Sequence, residues 1–395
     1  MHRVENLKRI STTIGASYGV NLNYFVIFNS EPQNPSMKKI VVYLAFPLVL
    51  LSCSSSDDNN NTSQTPTEEA MYFPPLTGDT WDTKSVTDLN WHQDAVQPLL
   101  DFLEQKHTKG FMILVNGRIV MESYFNGHSA TAPWYWASAG KTLTSAVTGI
   151  AQKENYIDID NKVSDYLGAG WTSLPLDKEN LITNRNLLTM TSGIDDDFDE
   201  DCTDPTCLIY KADAGTRWAY DNVYVKLQDV IASATGQSWE DYFSSVLKNK
   251  IGMTGTWIPM DGLSVYYSTT RSMARFGLLF LNKGKWDTQE IVPADYFNQA
   301  TTPSQTINNS YGYLWWINGQ ANYHLPQSQV QIPGSLIPGA PADMFMALGK
   351  NDQKIYVVPS RKMVVIRMGD VAEGANFALS QFDDDLWEKI NAVIN

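Results

Sequence analysis

A chain of 395 residues with 43% hydrophobic content has room for two or three domains and enough apolar side chains for a large core. Its formal net charge of −14 argues against nucleic acid as a partner, because an acidic surface repels the phosphate backbone. No Walker loop, dinucleotide fingerprint or zinc-protease helix motif occurs, so the sequence implies no cofactor and no catalytic metal.

The chain opens with segments that read as targeting rather than fold. Met37-Lys38-Lys39 is a short basic start, and 40–51 is an apolar run too short to span a bilayer but suited to a signal-peptide core. Leu50-Leu51-Ser52-Cys53 resembles a bacterial lipoprotein cleavage box, which makes Cys53 the expected site of lipid attachment. Residues 1–36 lie upstream of that complete signal (37–53) and read as preceding the true start. Residues 54–70 are rich in Ser, Asp, Asn and Thr without apolar periodicity, as in a flexible tether. The expected localisation is the bacterial cell envelope, with the membrane as a partner through the N-terminal lipid.

The folded part is expected over 71–395. Ala95, Leu99, Leu100 and Leu103 recur at helical spacing within 91–106. Residues 111–115, Asn116-Gly117 and 119–124 spell a two-residue β-hairpin. Residues 138–283 read as a mostly helical lobe, with helices at 226–234 and 239–247 ending near Gly236 and Gly252. Cys202 and Cys207 sit in an acidic loop and are candidates for a local disulfide in an oxidising compartment. That loop carries Asp195, Asp196, Asp197, Asp199, Glu200, Asp201 and Asp204, but it lacks the glycine and closing glutamate of an EF-hand, so a solvated acidic loop is the expectation. A second hairpin is expected over 354–358 and 363–368, and 377–394 closes the chain as an amphipathic helix. Strands at both ends of a helical middle predict an α+β fold: one antiparallel sheet flanked by terminal helices, with the helical lobe inserted.

One local pattern carries chemistry. Ser138 stands at the start of an expected helix with Lys141 three residues on, so the amine can reach the hydroxyl and activate it without histidine. The same spacing at Ser36/Lys39 lies before the signal, and at Ser245/Lys248 it lies near a helix end. Only Ser138 precedes a long helix, whose free N–H groups stabilise negative charge. An ordinary helix cap beside a solvated lysine is the bland alternative. Tyr220-Asp221-Asn222 falls on a loop edge before another helix; the Tyr-x-Asn spacing also occurs at Tyr124/Asn126 and Tyr296/Asn298, in less cleft-like settings.

Ser138-Ala139-Gly140-Lys141 and Tyr220-Asp221-Asn222 together resemble the first two motifs of the β-lactamase-related serine hydrolases. Residues 186–194 resemble that family's segment between the two motifs, and 251–256 and 268–277 its later helical segments, in order. The resemblance implies a β-lactamase/transpeptidase-like fold, with Ser138 as nucleophile and Lys141 and Tyr220 sharing base duty. It implies that Asn222 holds Lys141 and substrate, that Lys350 supplies positive field, and that the backbone N–H groups of Ser138 and Gln353 form the oxyanion hole. The third motif departs: Lys-Thr-Gly is absent, and the matching stretch is 349–353, where Asp352 replaces glycine and is expected to obstruct a carboxylate-bearing β-lactam. The implied activity is acyl-enzyme formation with a small ester or amide. The alternatives are a cell-wall D-amino-acid peptidase and a catalytically silent lipid-anchored binding protein. A Ser-His-Asp triad is a poor competitor: 15–19 matches a nucleophile elbow but lies before the signal, and the five histidines follow no triad order. Trp134, Trp136, Trp218, Trp315 and Trp316 are candidates for an apolar pocket or for core.

Overall fold

The computed structural model describes residues 69–197, 202–260, 263–372 and 379–395. Cys53 and the segments 1–36, 37–53 and 54–68 lie outside the described residues. Residues 68–395 form one compact unit. Among the described residues no helix is long and apolar enough to cross a membrane.

The unit is organised by one antiparallel six-stranded sheet in the order β2-β1-β13-β12-β11-β8. Its strands are β1 (Thr108–Val115), β2 (Arg118–Tyr124), β8 (Trp316–Ile317), β11 (Phe345–Gly349), β12 (Gln353–Val358) and β13 (Met363–Gly369). Both expected hairpins form. Asn116 and Gly117 have φ of 50° and 81°, the left-handed pair that a two-residue turn between twisted strands requires. The last hairpin closes the sheet by pairing β13 with β1, so Val115 faces Met363.

Alternation along the strands sorts side chains to two faces. Lys354, Tyr356 and Arg367 point to the face covered by α1 (Val96–Gln105) and α10 (Gln381–Ile394), where Phe102 stacks on Phe382 and Tyr356 meets Trp387 edge-on. α10 starts in a capping box made by Ser380 and Asp383. It buries Phe382, Leu386, Trp387, Ile390 and Val393, each worth about 2 kcal/mol of transfer free energy. The opposite face carries α8 (Thr270–Leu281), with Phe280 against Phe345.

The inserted lobe holds α2 (Lys141–Lys153), α3 (Ser164–Leu167), α4 (Leu176–Glu179), α5 (Asn184–Leu188), α6 (Lys226–Thr235) and α7 (Trp239–Phe243). Gly236 ends α6 in the left-handed conformation, as its position in the sequence predicts. The expected lobe of 138–283 differs from the structure at its end. A small sheet of β3 (Trp134–Tyr135), β5 (Leu263–Ser268) and β4 (Thr256–Met260) interrupts it, and α8 packs on the central sheet. The reason is burial: from Ser272 to Leu281 every residue of α8 is buried, which a helix on a lobe surface cannot achieve. Short ribbons β6 (Lys285–Trp286) with β7 (Gln289–Glu290), and β9 (Asn322–Tyr323) with β10 (Ile332–Pro333), and the helix α9 (Ala294–Ala300) complete the fold.

Candidate active site

Ser138 lies in a short 3-10 turn, Ala137–Gly140, that runs directly into α2. The turn begins with Ala137 at φ 47°, a left-handed conformation that costs an alanine about 1–2 kcal/mol. Neighbouring groups hold it there. Trp136 is fully buried and donates its indole N–H to Ser268 Oγ at 2.7 Å, and the Trp136 N–H reaches the Tyr266 carbonyl at 2.8 Å. Strain fixed by surroundings is a feature of functional turns. Ser138 itself stays partly open to solvent, while Lys141, one turn on, is 1% exposed.

Four of the expected residues meet. Lys141 Nζ donates to Asn222 Oδ1 at 2.8 Å and to the Asp221 carbonyl at 3.3 Å. It also lies over the Tyr224 ring at 3.9 Å and the Tyr220 ring at 5.0 Å. The Tyr220 hydroxyl lies within reach of the Ser138 side chain and of the Trp316 indole. Ser138 and Trp316 are therefore neighbours of the Tyr220 hydroxyl, while Asn222 ties Lys141 to the same loop. Burial pushes the Tyr220 phenol up to about 12, against the opposing effect of the Ser138 and Trp316 side chains. Burial thus disfavours the phenolate form of Tyr220 in the resting site.

The third wall is β11, and here the geometry corrects the expected register. A Cβ on Gly349 would stand 2.4 Å from the Trp136 carbonyl and 2.9 Å from the Ala139 nitrogen. Gly349 thus touches the Ser138 turn, and no other residue type fits there. Placing the family's Lys-Thr-Gly glycine at this point puts Ala347 and Leu348, both buried and apolar, at the two preceding positions. Lys350 follows the glycine instead of leading the motif, and its side chain is exposed. Gln353 is fully buried, and its amide is occupied by the Gly369 carbonyl at 2.6 Å and the Asn351 carbonyl at 2.9 Å. Asp352 is no obstacle to substrate. Its carboxylate is buried on the α10 side of the sheet, 3.2 Å from Lys354 Nζ and accepting from Ser380 Oγ at 2.8 Å.

The remaining candidates separate cleanly. Ser245 donates to the Tyr242 carbonyl at 2.8 Å, Tyr124 is held by Glu122, and Tyr296 is buried beside Ser145. Trp136, Trp218, Trp315 and Trp316 are core residues, leaving Trp134 partly exposed. Cys202 and Cys207 are joined in a disulfide. The acidic loop is not simply solvated: Asp196 is 3% exposed and pairs with Arg217 at 2.6 Å. Asp195 and Asp197 are both within reach of Lys211, so cationic side chains already serve this carboxylate cluster. Sequence reasoning missed Tyr224, the role of Gly349 and the place of Trp316 beside Tyr220, having named Trp316 only as pocket or core. Nothing local marks Trp316 or Tyr224, whereas a glycine inside an apolar strand was a readable sign of close backbone approach.

Residues 97–372 match the beta-lactamase family. The chain belongs to that family. An uncharacterized protein of Alkalihalophilus pseudofirmus is 24% identical over 298 residues, covering 65% of this chain and 81% of that protein. Among solved structures, a provisionally assigned 6-aminohexanoate-dimer hydrolase from Bacillus anthracis superposes with a TM-score of 0.62 at 20% identity, covering 82% of this chain and 89% of its own. A class C beta lactamase gives 0.58 at 15% identity, covering 78% and 99%. At these identities the likeness is one of fold. The family and the fold together make the chain a β-lactamase-related serine hydrolase.

Proposed function

We propose that this family member hydrolyses small esters or amides through an acyl-enzyme on Ser138. The carrying observation is the buried Lys141 held by Asn222 and the Asp221 carbonyl one turn from Ser138, with Tyr220 beside both and Ser138 left open to solvent. In this reading Ser138 Oγ attacks the carbonyl and Lys141, as the amine, takes the Oγ proton. Tyr220, kept as a phenol, gives its proton to the leaving group and regains the one that Lys141 took; water then attacks the acyl-enzyme carbonyl, a proton returns to Ser138 Oγ, and the acid leaves. Asn222 fixes Lys141. The Gly349 contact supports a second oxyanion donor at the Lys350 N–H, next to that of Ser138, in place of Gln353; such donors are worth several kcal/mol.

Substrate choice follows from β11. Ala347 and Leu348 supply neither cation nor hydroxyl beside Ser138, so a carboxylate-bearing β-lactam gains little there. Neutral esters and amides suit such a wall. The same reading places the enzyme in the cell envelope on a lipid at Cys53, which the Cys202–Cys207 disulfide supports, since such bonds persist outside the cytoplasm.

A serine-directed fluorophosphonate is the direct test. Wild type is expected to gain one adduct on Ser138, and Ser138→Ala none. A panel of short esters, amides, D-amino-acid peptides and a chromogenic cephalosporin then ranks substrates by kcat/KM, with esters first. Efficient cephalosporin turnover would defeat the substrate assignment, and an unlabelled, folded wild type would defeat the mechanism. Intact mass of the exported protein is expected to show an acylated Cys53 at its N-terminus.

A further inference from the structure

The carboxyl of Asp221 takes no part in the scheme above, yet it is 8% exposed at the centre of the site. Its Oδ1 accepts from the Val223 N–H at 3.0 Å. Its Oδ2 is buried without a hydrogen-bond partner. A buried oxygen of this kind is costly, so its presence between Tyr220 and Asn222 needs a reason.

The groups that act on it come from every side. Lys141 belongs to α2, Arg217 to the stretch before Tyr220, and Asp196 to the acidic loop. The phenols of Tyr220 and Tyr311 are also within electrostatic reach, and Tyr224 lies on the far side of the lysine. Arg217 is already paired with Asp196 at 2.6 Å. The cation left to answer Asp221 is therefore Lys141, whose Nζ already donates to the Asp221 carbonyl at 3.3 Å.

We propose that Asp221 is a positioning residue that governs the charge of Lys141, holding it as an ammonium until the medium turns alkaline. The inference rests on the reading of Ser138 and Lys141 given above. Groups that act on each other in this way lose their protons in two steps that belong to the pair. The first proton leaves mainly from Asp221, and the resulting carboxylate strengthens the grip of Lys141 on its own. Only the second loss produces the amine that accepts the Ser138 proton as the Oγ–carbonyl bond forms. Burial pushes the Asp221 carboxyl up to about 7, against the pull of Lys141, which places the first step near neutrality.

The test follows fluorophosphonate labelling of Ser138, and kcat/KM for p-nitrophenyl acetate, from about pH 5 to about pH 10. Wild type, Asp221→Asn and the smaller Asp221→Ser are compared, with circular dichroism as the folding check. In wild type the rise in rate is expected above about pH 7. In Asp221→Asn it moves to lower pH by roughly one unit or more, so that near pH 6 the variant is labelled roughly tenfold faster. KM is expected to stay constant. A uniform fall in rate at every pH, with the rise unmoved, is the mark of a merely structural aspartate and overturns the inference. So does a wild-type rise complete below about pH 6, a result that needs no variant to fold. A wild type never labelled at Ser138 instead sinks the parent reading and this inference together.

Discussion

Two buried lysines of this molecule are surrounded in opposite ways. Lys354 lies under α10 with Asp383 Oδ2 at 2.8 Å and Asp352 Oδ1 at 3.2 Å, and Asp383 is also hydrogen-bonded by Tyr356. Lys141 meets an amide oxygen, a carbonyl and two phenol rings, with the Asp221 carboxyl behind them. The first arrangement sets two carboxylates on one lysine, and Ser380 and Asp383 of the same cluster cap α10. The second leaves the charge able to change, which is what a base requires. Position in the fold does not separate a structural lysine from a chemical one, since Lys354 is 0% and Lys141 1% exposed. The company each keeps does.

The largest effect expected from this contrast is on stability. Lys354→Ala leaves two buried carboxylates facing each other and should cost about 3–5 kcal/mol, measured by urea unfolding. A loss below about 1 kcal/mol would mean that the sheet cluster is no more demanding than the site. Next comes activity. Lys141→Ala should lower kcat by about 10²-fold or more on the best ester, equivalent to about 2.7 kcal/mol, with little change in unfolding free energy. Wild-type turnover by that variant would return Ser138 to the status of a helix cap.

The third effect is a pH dependence. The Asp221 carboxyl is pushed up to about 7 in the folded chain, from an ordinary value of 3.8. Between those values the folded state holds a proton that the unfolded state has lost, so stability falls as pH rises through this window. Asp221→Asn removes that slope. Its melting temperature relative to wild type should therefore climb steadily between those two pH values. A constant difference would show that Asp221 titrates normally. The smallest effect concerns Ala137 at φ 47°: Ala137→Gly should gain about 0.5–1 kcal/mol by releasing the strain. Activity should nonetheless drop, because the turn that aims Ser138 is loosened; an unchanged kcat would show that the strain serves no purpose.

Much of this was legible in the sequence where the signal is local. Asn116-Gly117 declares its turn, the apolar, β-branched run from Met363 to Met368 declares a strand, and Ser138 with Lys141 declares a helix start that can carry chemistry. Contacts between distant segments were not legible. Asp352 reads as a negative charge in the pocket because its neighbours in sequence lead there, yet its neighbours in space are Lys354 and Ser380, on the other face. Lys350 reads as the pocket cation because charge is what the family motif displays at that point. The Gly349 contact with the Trp136 carbonyl, invisible until both segments are placed, moves the register. Likewise α8 reads as lobe by its position in the chain, while its complete burial assigns it to the sheet.

The pairing of β1 with β13 sets a schedule for making the enzyme. Val115 pairs with Met363, about 250 positions later, and the Ser138 turn is propped by Gly349 near the end of the chain. A nascent chain therefore pairs β1 with β2 early but leaves the other edge of β1 and a half-built pocket open until the end of synthesis. Catalysis cannot begin until the final hairpin has arrived and docked. A product cut short before β13 lacks the strand that closes the sheet, and one cut short before Gly349 also lacks the prop under Ser138.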